Sequence, residues 1–265
     1  MILAVDTGGT KTLLAKFSDG GEMMESTKSP TPQSYYEYMD ILKGQIAAIG
    51  VDDLRAISVA VPGVVEDDTV IWLGNLNWQN PKIAEELKSS FGVPVVMEND
   101  ANLAGLSESE GLVGKILYVT ISTGIGAGIV EDGQISKGLK NFEPGHDKYE
   151  YDGKVMEWED FASGKAIFER FGKPGSEITD EKALREVSKR IAVGLVPVIK
   201  NIEPNTVVIG GSMGVYLDRY LEYLKQDVMG QLLGGTIPDI TKARHPEEAV
   251  VYGCYLYAKN RLFSR

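Results

Sequence analysis

Asp100 is the residue of this chain best placed to do chemistry. It lies in Glu98-Asn99-Asp100-Ala101-Asn102, directly after the apolar run Val93–Met97. A carboxylate at a strand end can take the proton of an alcohol as that alcohol attacks phosphorus. The flanking amides of Asn99 and Asn102 offer both donors and acceptors, which sugar hydroxyls need. By residue type alone Asp100 also suits the cap of a helix starting at Ala101, and the two roles are compatible.

Three glycine-rich turns could hold the other reactant. In Asp6-Thr7-Gly8-Gly9-Thr10-Lys11, paired glycines remove Cβ atoms from a concave turn. Backbone N–H groups, threonine hydroxyls and Lys11 then suit phosphate oxygens, while Asp6 can orient a hydrated Mg²⁺. Thr123-Gly124-Ile125-Gly126-Ala127-Gly128 has the same character. Gly210-Gly211-Ser212-Met213-Gly214 follows an apolar strand and opens a helix, so its N–H groups and helix dipole suit a phosphate or a nucleotide's ribose. Plain glycine hairpins and a tight strand-to-helix turn are the simpler readings of these segments. Glu143, His146 and Glu159, from Glu143-Pro144-Gly145-His146 and Trp158–Gly164, can grip adjacent hydroxyls of a polyol. Against this, a lone loop histidine is commonly structural, and Asp147–Asp160 reads by composition as a solvated acidic loop.

Other chemistries are excluded. Gly124-x-Gly126-x-Gly128 has the wrong spacing for a dinucleotide fingerprint and runs into a strand, and no Walker A sequence is present. His245 has no serine or cysteine partner, and Cys254 sits in a helical apolar run and reads as core. One cysteine among 265 residues precludes an internal disulfide and a cysteine-rich zinc site. A net charge of -11 argues against a nucleic-acid surface. There is no signal peptide and no apolar run of about 18 residues, so a cytoplasmic location without membrane contact is expected.

Strands and turns must bring these groups together. Ile2–Val5 and Leu13–Phe17 read as a hairpin, with Glu22–Lys28 as a third strand. A helix over 35–49, a strand Ala56–Val61 ending at Pro62-Gly63, a short helix Pro81–Phe91 and the strand before Asp100 follow. At Ile116–Ser122 the pattern of strand, glycine turn and strand restarts, about 115 residues on, which indicates a duplicated domain. Helices are then expected at Asp160–Phe171, Asp180–Asn201, Val215–Gln226 and Pro246–Lys259, with a strand at Thr206–Ile209. Five strand ends carry polar or glycine-rich sequence, which in α/β sheets is where ligands collect. We expect domains 1–110 and 111–245, helix 246–262 packing back on the first, and a cleft between the domains.

Taken in order, Asp6-Thr-Gly-Gly-Thr-Lys11, Val61-Pro-Gly-Val-Val65, Asn75-Leu-Asn-Trp78, Glu98-Asn-Asp-Ala-Asn102, Thr120–Gly126, Glu143-Pro-Gly-His146, Ala162-Ser-Gly164 and Gly210-Gly211 resemble the ROK family of sugar kinases. That family lies within the actin/hexokinase/Hsp70 ATPase fold. The resemblance implies an α/β protein of two ribonuclease-H-like (actin-like ATPase) domains with Asp100 as general base. It assigns Gly63, Asn77, Asn99, Glu143, His146 and Glu159 to a hexose. Gly8, Gly9, Thr10, Lys11, Thr123 and Gly124 fall to the donor phosphates with Mg²⁺, and Gly210, Gly211 and Ser212 to the nucleoside. Glu157 competes with Glu159, which keeps the family spacing to Ser163-Gly164. Typical members carry a cysteine-rich zinc loop between the histidine and Ala-Ser-Gly stretches. Here the interval Asp147–Phe161 has no cysteine, so no zinc is expected and Tyr149, Tyr151 and Trp158 are the expected surroundings that position His146.

The expected activity is transfer of the ATP γ-phosphoryl group to a hexose, glucose O6 first, by a homodimer. The missing zinc loop and the short chain also resemble polyphosphate-dependent glucokinases. Other hexoses or N-acetylhexosamines remain open as substrates. A sugar-sensing repressor is disfavoured, because the chain begins at the first strand without a DNA-binding element. A non-catalytic sugar-binding protein is disfavoured by the full set of candidate residues.

Overall fold

The computed structural model describes residues 1–74, 76–139, 141–232 and 236–263. Asn75, the first residue of the Asn75–Trp78 motif, lies outside them. The chain divides into two compact units, Met1–Ser107 with Val250–Arg265, and Glu108–Ala249.

The first unit opens on the hairpin β1 (Ile2–Thr7) and β2 (Lys11–Phe17), followed by β3 (Met23–Pro30), helix α1 (Tyr35–Ile49) and β4 (Ala56–Val61). A small hairpin, β5 (Gly63–Glu66) and β6 (Thr69–Leu73), leads to α2 (Ile83–Phe91), β7 (Val95–Asn99) and α3 (Asp100–Glu108). The five-stranded sheet runs β3-β2-β1-β4-β7, antiparallel through β1 and parallel from β1 to β7. The strands in the middle of the sheet are apolar on both faces, and β4 is buried throughout, as expected for a sheet covered by helices. On one face Leu3, Val5, Ile57 and Val59 meet Tyr38, Met39, Leu42 and Ile46 of α1, which recur at helical spacing.

The second unit repeats this plan with β8 (Lys115–Ile121), β9 (Ile125–Glu131), β10 (Gln134–Ile135), the hairpin β11 (Lys148–Tyr151) and β12 (Lys154–Glu157), and helices α4 (Trp158–Ala162), α5 (Gly164–Phe171) and α6 (Glu181–Ile202). After β13 (Thr206–Gly210) come α7 (Gly211–Gly214), α8 (Leu221–Met229) and β14 (Asp239–Lys242). Its sheet order, β10-β9-β8-β13-β14, matches that of the first unit position by position. These are the two ribonuclease-H-like sheets implied by the resemblance. The last helix, α9 (Ala249–Phe263), packs Val251, Cys254, Tyr255 and Ala258 against Ile2, Ala4 and Phe17 on the other face of the first sheet.

The structure corrects several expected elements. The helix expected over 160–171 is two helices, because Ser163 ends α4 in extended backbone and caps α5 through the N–H of Ala166. The helix expected at 215–226 starts at Leu221, after the short α7 and a 3₁₀ turn, Leu217–Arg219. Residues 147–160 are not a solvated loop: they form β11–β12 and enter α4 at the fully buried Trp158. The hairpin β5–β6 and the edge strand β14 were not anticipated.

Candidate active site

Three parallel strands of the first unit end at one edge of their sheet. Asp6 pairs with Ala60, and Ala60 with Glu98, so Asp6, Pro62-Gly63 and Asn99-Asp100 leave the sheet in neighbouring rows. Asp100 is the first residue of α3, and its Oδ1 accepts the N–H of Ala101 at 2.8 Å. Burial nevertheless pushes its carboxyl up to about 6, against the pull of backbone donors. Asp6 is pushed up to about 7, first by burial and then by the charge of Asp100, with Lys28 opposing. A carboxyl that loses its proton close to neutrality is tuned for general-base work.

The junction around Asp100 is braced by amides. Asn99 Nδ2 donates to the carbonyl of Gly63 at 2.9 Å, and Asn99 Oδ1 accepts the N–H of Asn102 at 3.0 Å. Buried Glu98 accepts from the N–H of Asn99 (2.9 Å) and from Asn102 Nδ2 (3.1 Å). Gly63 itself has φ 148°, and a Cβ there would lie 2.1 Å from the carbonyl oxygen of Trp72. Asn77 is exposed, held between the buried side chains of Leu76 and Trp78. The Trp78 ring packs against Tyr35 and Tyr38 and donates its indole N–H to Gln33 O at 3.1 Å.

Three carbonyls of the Gly8–Lys11 turn, those of Gly8, Thr10 and Lys11, are occupied. Gly8 N–H donates to Lys11 O at 3.0 Å, and Thr31 donates its N–H to Thr10 O (3.0 Å) and its hydroxyl to Gly8 O (2.8 Å). The hydroxyls of Thr12 and Thr31 lie 2.9 Å apart. With these three acceptors satisfied, the turn presents partly exposed glycines and the exposed Thr10 and Lys11, a surface suited to an anion.

In the second unit the turn after β8 and the start of α7 leave adjacent strands, with Gly210 opposite Thr120. Ser122 joins them. Its hydroxyl accepts the N–H of Ser212 (3.0 Å), its N–H donates to Gly124 O (2.9 Å), and its carbonyl accepts from Gly164 N–H (2.6 Å). Gly211 adopts φ 75°, and a Cβ on it would meet Ser122 Oγ at 2.6 Å and Ile121 O at 2.7 Å.

His146 ends the 3₁₀ turn Pro144–His146, with Glu143 just before it. Its Nδ1 lies 3.0 Å from Glu157 Oε2 and 3.9 Å from Glu159 Oε1. The hydrogen bond to Glu157 is the main reason that the imidazole holds its proton above the usual histidine range, with the charges of Glu159 and Glu143 adding to it. Glu159 turns its other oxygen to the N–H of Ile125 at 3.2 Å, which ties the helix α4 to the glycine turn.

The sequence profile of the ROK family matches residues 2–261. The chain belongs to the ROK family. It is 24% identical to the glucokinase of Streptomyces coelicolor, covering 96% of each protein. With the N-acetylmannosamine kinase of Escherichia fergusonii it shares 29% identity over 97% of this chain and 98% of that one. A xylose repressor of Caldicellulosiruptor bescii is 26% identical over 76% of this chain and 61% of its own length. Among solved structures, the ROK family glucokinase of Streptomyces griseus, in complex with glucose and AMPPNP, superposes with a TM-score of 0.81 at 22% identity, covering 98% and 99% of the two chains. The inorganic polyphosphate/ATP-glucomannokinase of Arthrobacter sp. strain KM gives 0.77 at 25% identity over 98% of each.

Within the ROK frame, the sequence-derived residues fall into separate local groups. In the first unit, Asp6, Gly63, Asn99 and Asp100 gather at one sheet edge beside the Gly8–Lys11 turn. In the second, Thr123, Gly124, Gly210, Gly211 and Ser212 share one edge, and His146 and Glu159 meet next to Gly124, with the charge of Glu143 also acting on His146. The thiolates of a zinc loop do not fit this chain, since its one cysteine, Cys254, is buried in the first unit with Sγ 3.8 Å from Val5 O. His146 has Glu157 as its direct polar partner. Sequence reasoning passed over two other bracing residues. Ser122 lay inside a recognised motif, whereas Thr31, in Ser29-Pro30-Thr31-Pro32, gave no signal beyond a loop.

Proposed function

We propose that this ROK-family chain is a hexose kinase that moves the γ-phosphoryl group of ATP to a sugar hydroxyl, with glucose O6 as the first candidate. The observation that carries the proposal is the Asp100 carboxyl, at a braced strand–helix junction and tuned to about 6. The family's full-length relatives named above are sugar kinases, which supports the reaction class. As the hydroxyl oxygen bonds to phosphorus and the bond to the ADP oxygen breaks, Asp100 takes the hydroxyl proton. Positioning and charge neutralisation supply most of the remaining rate.

In this reading Gly63, Asn77, Asn99, Glu143, His146 and Glu159 hold the sugar. Gly8, Gly9, Thr10, Lys11, Thr123 and Gly124 receive the donor phosphates, and Gly210, Gly211 and Ser212 the nucleoside. Asp6 would hold Mg²⁺ through water, and its raised pKa beside Asp100 fits a carboxylate whose charge a cation would offset. When bound, the ion neutralises the phosphate oxygens. Polyphosphate is the second donor to consider, given the likeness to the Arthrobacter kinase, although a net charge of -11 opposes a polyanion.

A panel of glucose, mannose, fructose and N-acetylmannosamine, each with Mg-ATP or polyphosphate, tests the proposal. Sugar-dependent ADP release with at least one hexose is expected. Sugar binding without turnover from either donor would contradict it and favour the sensing role that the xylose repressors represent.

A further inference from the structure

The interval in which typical ROK members carry their zinc loop is here a hairpin held by side chains. The N–H of Trp158 donates to Asp147 O at 2.9 Å, which closes its base. Tyr151 of β11 lies flat on Phe161, with 4.4 Å between ring centres and 2° between planes. Such a pair contributes about 0.5–1.5 kcal/mol beyond burial. Arg190 donates to Phe161 O at 2.8 Å and lies 5.0 Å from the Tyr151 ring centre. Pairing of Lys148 with Glu157 then sets Glu157 across from a residue only two beyond His146.

We propose that Glu157 is the positioning residue for His146 in sugar binding, its carboxylate fixing the ring's orientation and tautomer through Nδ1. The inference rests on the hexose-kinase reading above. An ionised carboxylate only accepts hydrogen bonds, so the 3.0 Å contact places a proton on Nδ1 and leaves Nε2 to a ligand. Three acidic groups face the ring: Glu157, Glu159 and Glu143. Of the two glutamates within 4 Å of Nδ1, only Glu157 is within bonding distance, because Glu159 stands off at 3.9 Å and its other oxygen serves Ile125. The two glutamates therefore divide the work. Glu157 orients the histidine, and Glu159 links the sugar ligands to the glycine turn.

The test is histidine-ring NMR on the full chain, beside sugar kinetics. Only His146 and His245 contribute, and His245→Asn assigns them. In the wild type the neutral His146 ring should carry its proton on Nδ1. In Glu157→Gln its titration should move down and the Nε2–H tautomer should appear, while the sugar KM rises about tenfold, the effect of one lost charge-assisted bond. The donor KM should stay within a factor of about two, a shift too small to count as a lost interaction. Glu157→Asp should recover part of both effects. An unchanged His146 titration and tautomer in a folded Glu157→Gln protein would overturn the proposal, as would wild-type sugar KM despite a shifted titration. His146 signals that move on chelation of the wild type would also overturn it, since a metal ion would then hold the ring. Failure of the kinase reading is distinct: the wild type would turn over no sugar, whatever the spectra show.

Discussion

At the scale of single residues, the two carboxyls at the edge of the first sheet trade stability for reactivity. Asp100 must be ionised to accept a proton, so kcat/KM for the sugar should fall about tenfold per pH unit below the raised value near 6. Stability runs the other way. Both groups hold protons more tightly folded than unfolded, so their contribution is fully present below about pH 4 and is lost as pH rises through 6 to 7. Asp6→Asn should therefore melt a few degrees above the wild type at pH 8, about 1–2 kcal/mol after allowing for partial exposure. By pH 4 that gap should close, and calorimetry at the two pH values checks it. Asp100 was legible in the sequence because an apolar strand ran straight into an acidic, amide-rich junction. Its bracing was not, since the link from Asn99 to Gly63 joins residues 36 apart. Glu157 was visible only as a competitor to Glu159, because linear spacing to Ser163-Gly164 cannot say which carboxylate reaches the imidazole.

At the scale of elements, the binding turns depend on atoms behind them. Thr31 occupies two carbonyls of the Gly8–Lys11 turn, those of Gly8 and Thr10. Thr31→Val should raise the donor KM several-fold, a loss of about 1 kcal/mol, while the sugar KM stays near that of the wild type. Equal effects on both substrates would mean that Thr31 only stabilises the fold. Gly211→Ala should cost about 1–3 kcal/mol in urea unfolding, because alanine is strained at φ 75° and its Cβ meets Ser122 and Ile121. Strands that end in glycine turns were readable, as the apolar runs before Asp6, Ser122 and Gly210 announce them. Two hairpins were missed for different reasons. In β11–β12, charged and aromatic residues alternate and hide a strand, although Asp152-Gly153, both at positive φ, is a recognised hairpin turn. In β5–β6 the turn is Asp67-Asp68 at φ 46° and 59°, which residue types rarely advertise.

At the scale of the whole molecule, one sheet plan is used twice. β1, β2, β3, β4 and β7 of the first unit correspond to β8, β9, β10, β13 and β14 of the second. The restart of strand, turn and strand near residue 116 made this duplication legible, whereas the edge strand β14 is too short, at four residues, to stand out. An acidic chain should also prefer the smaller polyanion, so kcat/KM with Mg-ATP should exceed that with polyphosphate by at least about tenfold. The most direct test of the account is steady-state phosphorylation of the best sugar by Asp100→Asn, with sugar binding measured alongside. We predict that kcat falls by about 10²–10⁴ while the sugar still binds within a few-fold of the wild type. An Asp100→Asn protein that keeps near-wild-type kcat would contradict the central claim.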